Sequence, residues 1–267
     1  IPAERGLLIP GAPCNHLSEA AQATAAALKE GRIGRPHAVF VEMNDLPMEL
    51  LLYKGWRSPS GAPWPYEDEF EVGCTLEHAA YALTWLLLFF GPVKRVTAVK
   101  SLQAPGKPGK QAARGPDFSV TTLEFRSGMI ARLTCSLLTP IDHSMRIFGD
   151  KGVIYAPDLW FYRTPVYSRT YFRLRRGVRL TPWKQKIRQW DTGPAIKNLS
   201  AGTMDFARGP REMSLAIREG RKPRVPIDFV LHFTELTLAI QNSTAEKPVY
   251  DTTSTFEPID PVLDPIL

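Results

Sequence analysis

The run from Glu69 to Ala98 sets ionisable side chains at the mouth of an apolar helix, stops that helix at Gly91-Pro92, and passes directly into a strand. Its apolar part, Ala79 to Phe90, is twelve residues long, short of the roughly 20 that span a bilayer. It therefore predicts a buried helix at the centre of a soluble fold. Chemistry is expected at the N-terminal mouth of that helix, where Glu69, Glu71, Thr75, Glu77 and His78 precede the greasy stretch.

The rest of the chain supplies a sheet for that helix. Gly6 to Pro10 reads as a short apolar strand. Ser18 is a side-chain cap for an alanine-rich helix, Glu19 to Glu30, closed by Gly31. His37 to Met43 is a strand by its β-branched and aromatic content, and residues 45–70, rich in Pro, Trp and Tyr, read as a long functional loop. Val93 to Ser101 is the next strand and the Gly/Pro-rich 103–116 an exposed loop. Asp117 to Phe125 and Met129 to Leu138 form a hairpin through Ser127-Gly128, the second strand alternating apolar and polar faces. Ser144 to Phe148 and Gly152 to Tyr155 flank another hairpin turn. From Met204 to Glu219, and from Pro226 to Gln241, the period is helical, and the tail beyond Tyr250 is extended. This order predicts an α+β fold, a large and mostly antiparallel sheet backed by helices.

Composition narrows the function classes. At 44% hydrophobic and 22% charged, 267 residues bury a core, and 24 prolines and 19 glycines are scattered as punctuation rather than tracts. Cys14, Cys74 and Cys135 are an odd, widely spaced set without a CxxC pair, which argues against a disulfide framework or structural zinc and for a reducing cytoplasm. His37, His143 and His232 lack partners at metal-ligand spacing, so no metal site is expected. The net charge of +6 is concentrated: no acid lies between Asp158 and Asp191, whereas nine Arg and Lys residues there interleave with aromatics such as Trp160, Tyr167, Trp183 and Trp190. Such a ribbon suits an anionic ligand or nucleic acid, although the balance favours a solvated edge ribbon kept soluble by its arginines. No Gly-x-Ser-x-Gly elbow, P-loop or helix-opening GxGxxG is present, so neither hydrolase nor phosphoryl-transfer chemistry is indicated and no self-contained dinucleotide site is encoded.

Five motifs, Gly31-Arg-Ile-Gly-Arg-Pro36, Trp56-Arg57, Glu71-Val-Gly73, Phe90-Gly-Pro-Val93 and Phe148-Gly-Asp-Lys-Gly152, stand in an order and at spacings that resemble the C-terminal half of the Gfo/Idh/MocA family of NAD(P)-dependent oxidoreductases, which includes glucose-fructose oxidoreductase and inositol dehydrogenase. The resemblance implies the following organisation: residues 1–14 as a remnant of the last Rossmann strand, 15–250 as an α+β substrate-binding and oligomerisation domain, and 251–267 as a tail. It implies NAD or NADP as cofactor, held mainly by a half of the enzyme that lies before Ile1, together with the family's Glu-Lys-Pro lysine. It further implies a sugar, cyclitol or polyol-like substrate, a homo-oligomer formed through the sheet face, and no membrane.

The departures from the family pattern shape the candidate site. The family's acidic helix position is Glu71, and its proton-transfer histidine falls on Thr75, which cannot act as a base at neutral pH. His78 is the rescue: if the helix begins early, Glu71, Thr75 and His78 share a stripe, and a carboxylate beside the imidazole would raise its pKa into a working range. Against this, His78 could simply pack in the helix. Asn15 and His16, where the chain leaves the last Rossmann strand, are candidate substrate contacts or a capping pair, and Trp56 and Arg57 resemble the loop that approaches substrate and cofactor. The expected function is hydride transfer to or from a polyol in a full-length enzyme, this chain being inactive alone. The alternative is a non-catalytic binding or scaffold module that uses the basic ribbon 160–190.

Overall fold

The computed structural model describes residues 9, 11–104, 115–190 and 204–261. The early strand Gly6 to Pro10 lies, except for Ile9, outside the described residues, as does most of the 103–116 loop.

Helix α1 (Glu19–Lys29) begins where the Ser18 hydroxyl accepts a hydrogen bond from the Ala21 N–H at 3.1 Å. Gly31 and Gly34, both at φ +70, turn the chain into strand β1 (Pro36–Asn44). The turn docks on the later Gly149-Asp-Lys-Gly152 turn: the Arg35 N–H donates to Asp150 Oδ1 at 3.0 Å and the Lys151 N–H to the Ile33 carbonyl at 2.9 Å. Two motifs far apart in sequence are thus one structural unit.

Helix α2 (Tyr66–Phe90) is the axis of the molecule. Trp85, Leu86 and Leu87 are fully buried, and each such side chain contributes on the order of 2–3 kcal/mol of burial. The helix is long and apolar enough to cross a membrane by length and composition, but its apolar window is 67% buried inside the molecule, as a core helix should be. It begins earlier than the apolar run suggests. Residues 45–65 form only short helical turns around Tyr53, and Tyr53 clusters with Trp64, Tyr66 and Phe70.

Strands β2 (Val93–Ser101), β3 (Phe118–Phe125), β4 (Ile130–Ser136), β5 (Met145–Gly149), β6 (Gly152–Ala156), β7 (Tyr167–Leu174), β8 (Gly177–Leu180) and β10 (Val249–Asp251) join β1 in one sheet of order β10-β2-β3-β4-β1-β5-β6-β7-β8, with β9 (Gln185–Lys186) pairing β7. Among these strands only β1 and β4 pair in parallel, and an isolated parallel bridge joins His143 and Asp158. One face carries Val39, Val41, Ala131, Leu133, Met145 and Ile147, all buried; α2 packs against β1, β3 and β4, and α4 against β2. The other face shows Phe40, Ile130, Val99 and Tyr155 to the outside. Helices α3 (Arg208–Arg218) and α4 (Ile227–Gln241) close the order, α3 starting four residues later than Met204. The α+β architecture expected from the sequence is the one observed.

Candidate active site

Gly73 interrupts α2 with φ 81 and ψ 171, a left-handed conformation that suits glycine. A Cβ there would lie 2.5 Å from the Pro116 carbonyl oxygen, so the break also lets the 115–116 backbone come close. That backbone is bonded to the helix on both sides: the Cys74 N–H donates to Pro116 O at 2.8 Å and the Gly115 N–H to Glu71 O at 2.8 Å. The break corrects one expectation. Glu71 stands before it and Thr75 and His78 after it, so the three do not follow one continuous helical stripe.

Thr75 is fully buried, and its hydroxyl donates to Ser119 Oγ at 3.0 Å on β3. His78 faces a different carboxylate from the one expected. Its Nε2 lies 3.2 Å from Asp45 Oδ2, just past the end of β1, and 3.9 Å from Glu77 Oε1. Asp45 Oδ1 is in turn 3.5 Å from His143 Nε2, and His143 Nδ1 is 3.7 Å from Asp158 Oδ2. The result is a chain of alternating acids and imidazoles, Asp158–His143–Asp45–His78, with both histidines 4% exposed. Trp160 organises it: its ring centroid lies 3.9 Å from that of His143, 5.4 Å from His78 and 5.7 Å from Tyr81. The Trp160 N–H donates to Asp158 Oδ1 at 2.7 Å, which fixes the carboxylate and leaves Oδ2 for the imidazole.

The two histidines titrate in opposite directions. Burial pulls His78 down to about 4 against the attraction of Asp45, so the imidazole is neutral at pH 7. The expectation of a raised His78 pKa is therefore corrected: desolvation exceeds the carboxylate's pull, and the nearby His143 adds to the lowering. Burial also disfavours charge on His143, but Asp158 and Asp45 together reverse this and hold it up at about 9. Glu77 is pushed up to about 8 by burial, then by the neighbouring Glu69 and by Asp45, so it carries a proton at neutral pH. His143 and Asp158 open onto a groove of about 970 Å³ that is also lined by Glu42, Asn44, Arg146 and Tyr155.

Asn15 reaches this cluster through one backbone group. Its Nδ2 donates to the Leu159 carbonyl at 3.2 Å, and the Leu159 N–H donates to the His143 carbonyl at 2.8 Å. His16 points elsewhere. It is buried, held down at about 4 by burial, tilted on Phe229, and beside a small cavity with Cys14 and Leu17; neither ring nitrogen has a partner among the described residues. Trp56 stacks at 5.1 Å on Trp64, and Arg57 is exposed on a loop whose backbone pairs with Pro63. Of the predicted set, then, Asn15, Thr75 and His78 gather near the α2 mouth, while His16, Trp56 and Arg57 lie in other surroundings.

Sequence reasoning missed Asp45, His143, Asp158 and Trp160. His143 stands next to Asp142 in sequence, whereas its partners come from just past the end of β1 and from the 158–160 loop. The acid-free interval begins one residue after Asp158, which was the available signal. His232 is structural, as expected: its Nε2 accepts from the Val93 N–H at 3.0 Å and its Nδ1 lies 2.8 Å from Ser254 Oγ. The basic ribbon is the β7–β8 hairpin at one end of the sheet. Some of its cations are engaged internally, Arg169 with the Thr181 carbonyl and Lys184 over the Tyr167 ring.

Comparison with solved structures places this architecture. An aldose-aldose oxidoreductase from Caulobacter crescentus complexed with glycerol matches over 94% of this chain and 65% of its own, at TM-score 0.67 and 17% identity. An oxidoreductase from Agrobacterium radiobacter in complex with NAD+, L-tartaric acid and magnesium matches over 91% and 65%, at 0.64 and 17%. A 3-ketoreductase from Actinomadura kijaniata in complex with TDP-benzene and NADP matches over 90% and 62%, at 0.59 and 17%. At such identities the likeness is one of fold, and the chain spans about two thirds of the length of these proteins. No curated protein matches the sequence. The GFO/IDH/MocA C-terminal domain model, however, matches residues 21–155, half of the chain and the part that holds β1, α2 and the β2–β6 strands. The chain belongs to the GFO/IDH/MocA family through that C-terminal domain.

Proposed function

We propose that this chain is the substrate-binding part of a nicotinamide-dependent oxidoreductase that acts on a sugar, cyclitol or similar polyol. Residues 15–250 form the substrate domain, 1–14 the end of a Rossmann lobe and 251–267 a tail. The described residues do not themselves suit a dinucleotide. Helix α1, the one that follows the supposed Rossmann strand, carries the buried acid Glu19 in its first turn, where a pyrophosphate would need bare N–H groups. NAD or NADP would therefore be held by a separate lobe, with Arg57 the candidate contact from this chain, and it would supply or take the hydride.

The observation that carries the reading is the acid–imidazole chain at the family's helix. With Nε2 held by Asp45, neutral His78 would take the substrate proton on Nδ1, which is buried here and must be reached from the α2 mouth, while Asp45 orients the ring and stabilises the imidazolium that forms. His143 and Asp158 extend the chain to the groove, so charge developing at His78 is felt across three further groups. Glu71 and Thr75 stand at the helix mouth, and of the expected substrate contacts only Asn15 adjoins the cluster, His16 lying on Phe229 and Trp56 against Trp64. Support for a polyol comes from the solved relatives, whose complexes hold glycerol and L-tartaric acid. The open face bearing Phe40, Ile130 and Tyr155 is proposed to join copies of the chain, and a cytoplasmic setting agrees with three free cysteines.

The test is turnover by the full-length enzyme on a panel of polyols with NAD+ or NADP+. The reading expects His78→Ala to lower kcat by about 100-fold or more with KM little changed. Normal turnover by that variant overturns the proton role, and a full-length protein without nicotinamide binding overturns the enzyme.

A further inference from the structure

One sequence feature, the acid-free interval after Asp158, is not absorbed by the proton chain. Within it, Lys186, Arg188 and Trp190 alternate along one extended segment, with Ile187 pointing into the core at 3% exposure. The segment is held in place: the Ile187 N–H donates to the Val166 carbonyl at 2.8 Å, and β9 pairs β7 at Lys186↔Tyr167. Its outer side forms one wall of a groove of about 460 Å³ whose other walls include Glu19 and Arg163. That volume is within the range of small-molecule sites.

The groove is cationic, and its one acid is already engaged. Glu19 is 2% exposed and accepts from both Arg208 nitrogens, at 2.7 and 2.9 Å, and from Arg163 Nε at 3.1 Å. Neither Lys186 nor Arg188 comes within ion-pairing distance of a carboxylate among the described residues. In the same wall the Trp190 ring packs against the core and closes the inner side of the groove. Two cations without a carboxylate partner among the described residues, two positions apart on a pinned segment, are complementary to phosphate oxygens.

We propose that this groove binds a phosphate or diphosphate ester, Lys186 and Arg188 pairing with the phosphate oxygens. The groove adjoins the proton chain through the loop 158–163, whose first residue holds His143 and whose last lines the groove; five residues span at most about 18 Å. Resting on the oxidoreductase reading, the ester is the anionic arm of the polyol substrate. Binding itself is measurable without turnover, so the two readings fail separately.

The experiment is calorimetric titration of the chain with inorganic pyrophosphate, UDP, glucose 1-phosphate and a twelve-nucleotide oligo-dT. Saturable binding of pyrophosphate, or of either ester, at one site is expected. Tighter UDP identifies a nucleotide-bearing ligand and tighter glucose 1-phosphate a simple sugar phosphate. Lys186→Ala/Arg188→Ala should weaken binding about tenfold or more with an unchanged melting curve, and Lys186→Arg/Arg188→Lys should stay within about threefold of wild type. Silence with all three phosphate probes, equal affinity in the double alanine variant, or steeply salt-dependent oligo-dT binding alone would overturn the proposal.

Discussion

Raising the pH from 6.5 to 9 should unfold this domain more easily, and His143 sets the size of the effect. Its imidazolium is held between Asp45 and Asp158 at 3.5 and 3.7 Å and is 4% exposed. Its pKa in the fold, about 9, lies above the ordinary 6.5. The stability it contributes is therefore complete below pH 6.5 and is lost as pH rises through 9; at about 1.4 kcal/mol per unit the loss is roughly 3 kcal/mol at most. Glu77 acts in the same direction but earlier, since a carboxyl raised from 4.5 to about 8 loses its contribution between those values. His16, His78 and His232 act oppositely: each is lowered to about 4, so each favours the fold above pH 6.5 and loses that contribution as pH falls toward 4. Urea unfolding followed by tryptophan fluorescence, in wild type and His143→Asn, separates these contributions, because most of the Glu77 contribution has been lost by pH 8 whereas most of that of His143 is lost above it. The wild type should keep losing stability there and the variant should be nearly flat. Equal slopes in both proteins, or an imidazole proton resonance of His143 titrating near 6.5, would refute the assignment.

Two further substitutions probe the frame around the site. Gly73→Ala should cost about 2–4 kcal/mol, because a Cβ at φ 81 would be strained and would meet the Pro116 carbonyl at 2.5 Å; a melting temperature within a degree of wild type would contradict this. Glu19→Gln removes the closer of the two carboxylates that hold the 6%-exposed Arg208, leaving Asp205 at 3.3 Å, and should cost about 1–3 kcal/mol, read as a lower urea midpoint at unchanged slope.

The fold was legible in the sequence where periodicity is strong. The Ser18 cap, the alternation of β4, the Gly31–Gly34 turn and the α2 apolar run each sit where local chemistry places them. The site was legible only in part. His78 stood out because it lies at the mouth of a helix, but its partner could not be read, because Asp45 lies thirty-three positions upstream and reaches it only once β1 and α2 pack. The Gly73 break was equally hidden. A glycine in a helical pattern is usually read as a tolerated cost, and here the close approach of Gly115 and Pro116, distant in sequence, gives it its purpose. The same holds for His143, whose sequence neighbour Asp142 instead accepts the Ser144 N–H at 3.0 Å while Asp158 pairs with the ring.

The break at Gly73 has a consequence for where acid–base chemistry can reside. With Thr75 donating its hydroxyl to Ser119, the position that carries the family's proton-transfer histidine faces the sheet and is saturated. Glu77 comes next but holds a proton at neutral pH, so the first neutral base along the helix is His78, and it shares one carboxylate, Asp45, with His143. Burial is the main reason His78 sits at about 4, and the second carboxylate, Asp158, helps hold His143 at about 9; repulsion between two imidazoles over one shared carboxylate widens the split. Asp45→Asn removes the shared charge without changing its size. His143 should then lose one of its two supports and its pKa should fall, while His78 loses the attraction that opposes desolvation and should accept a proton less readily still. In the full-length enzyme the proposed role predicts a fall in kcat and a shift of the acid limb of the pH–rate profile toward lower pH, with substrate KM little altered. A variant that folds, binds and turns over with an unshifted profile would show that Asp45 serves only to hold β1 against α2.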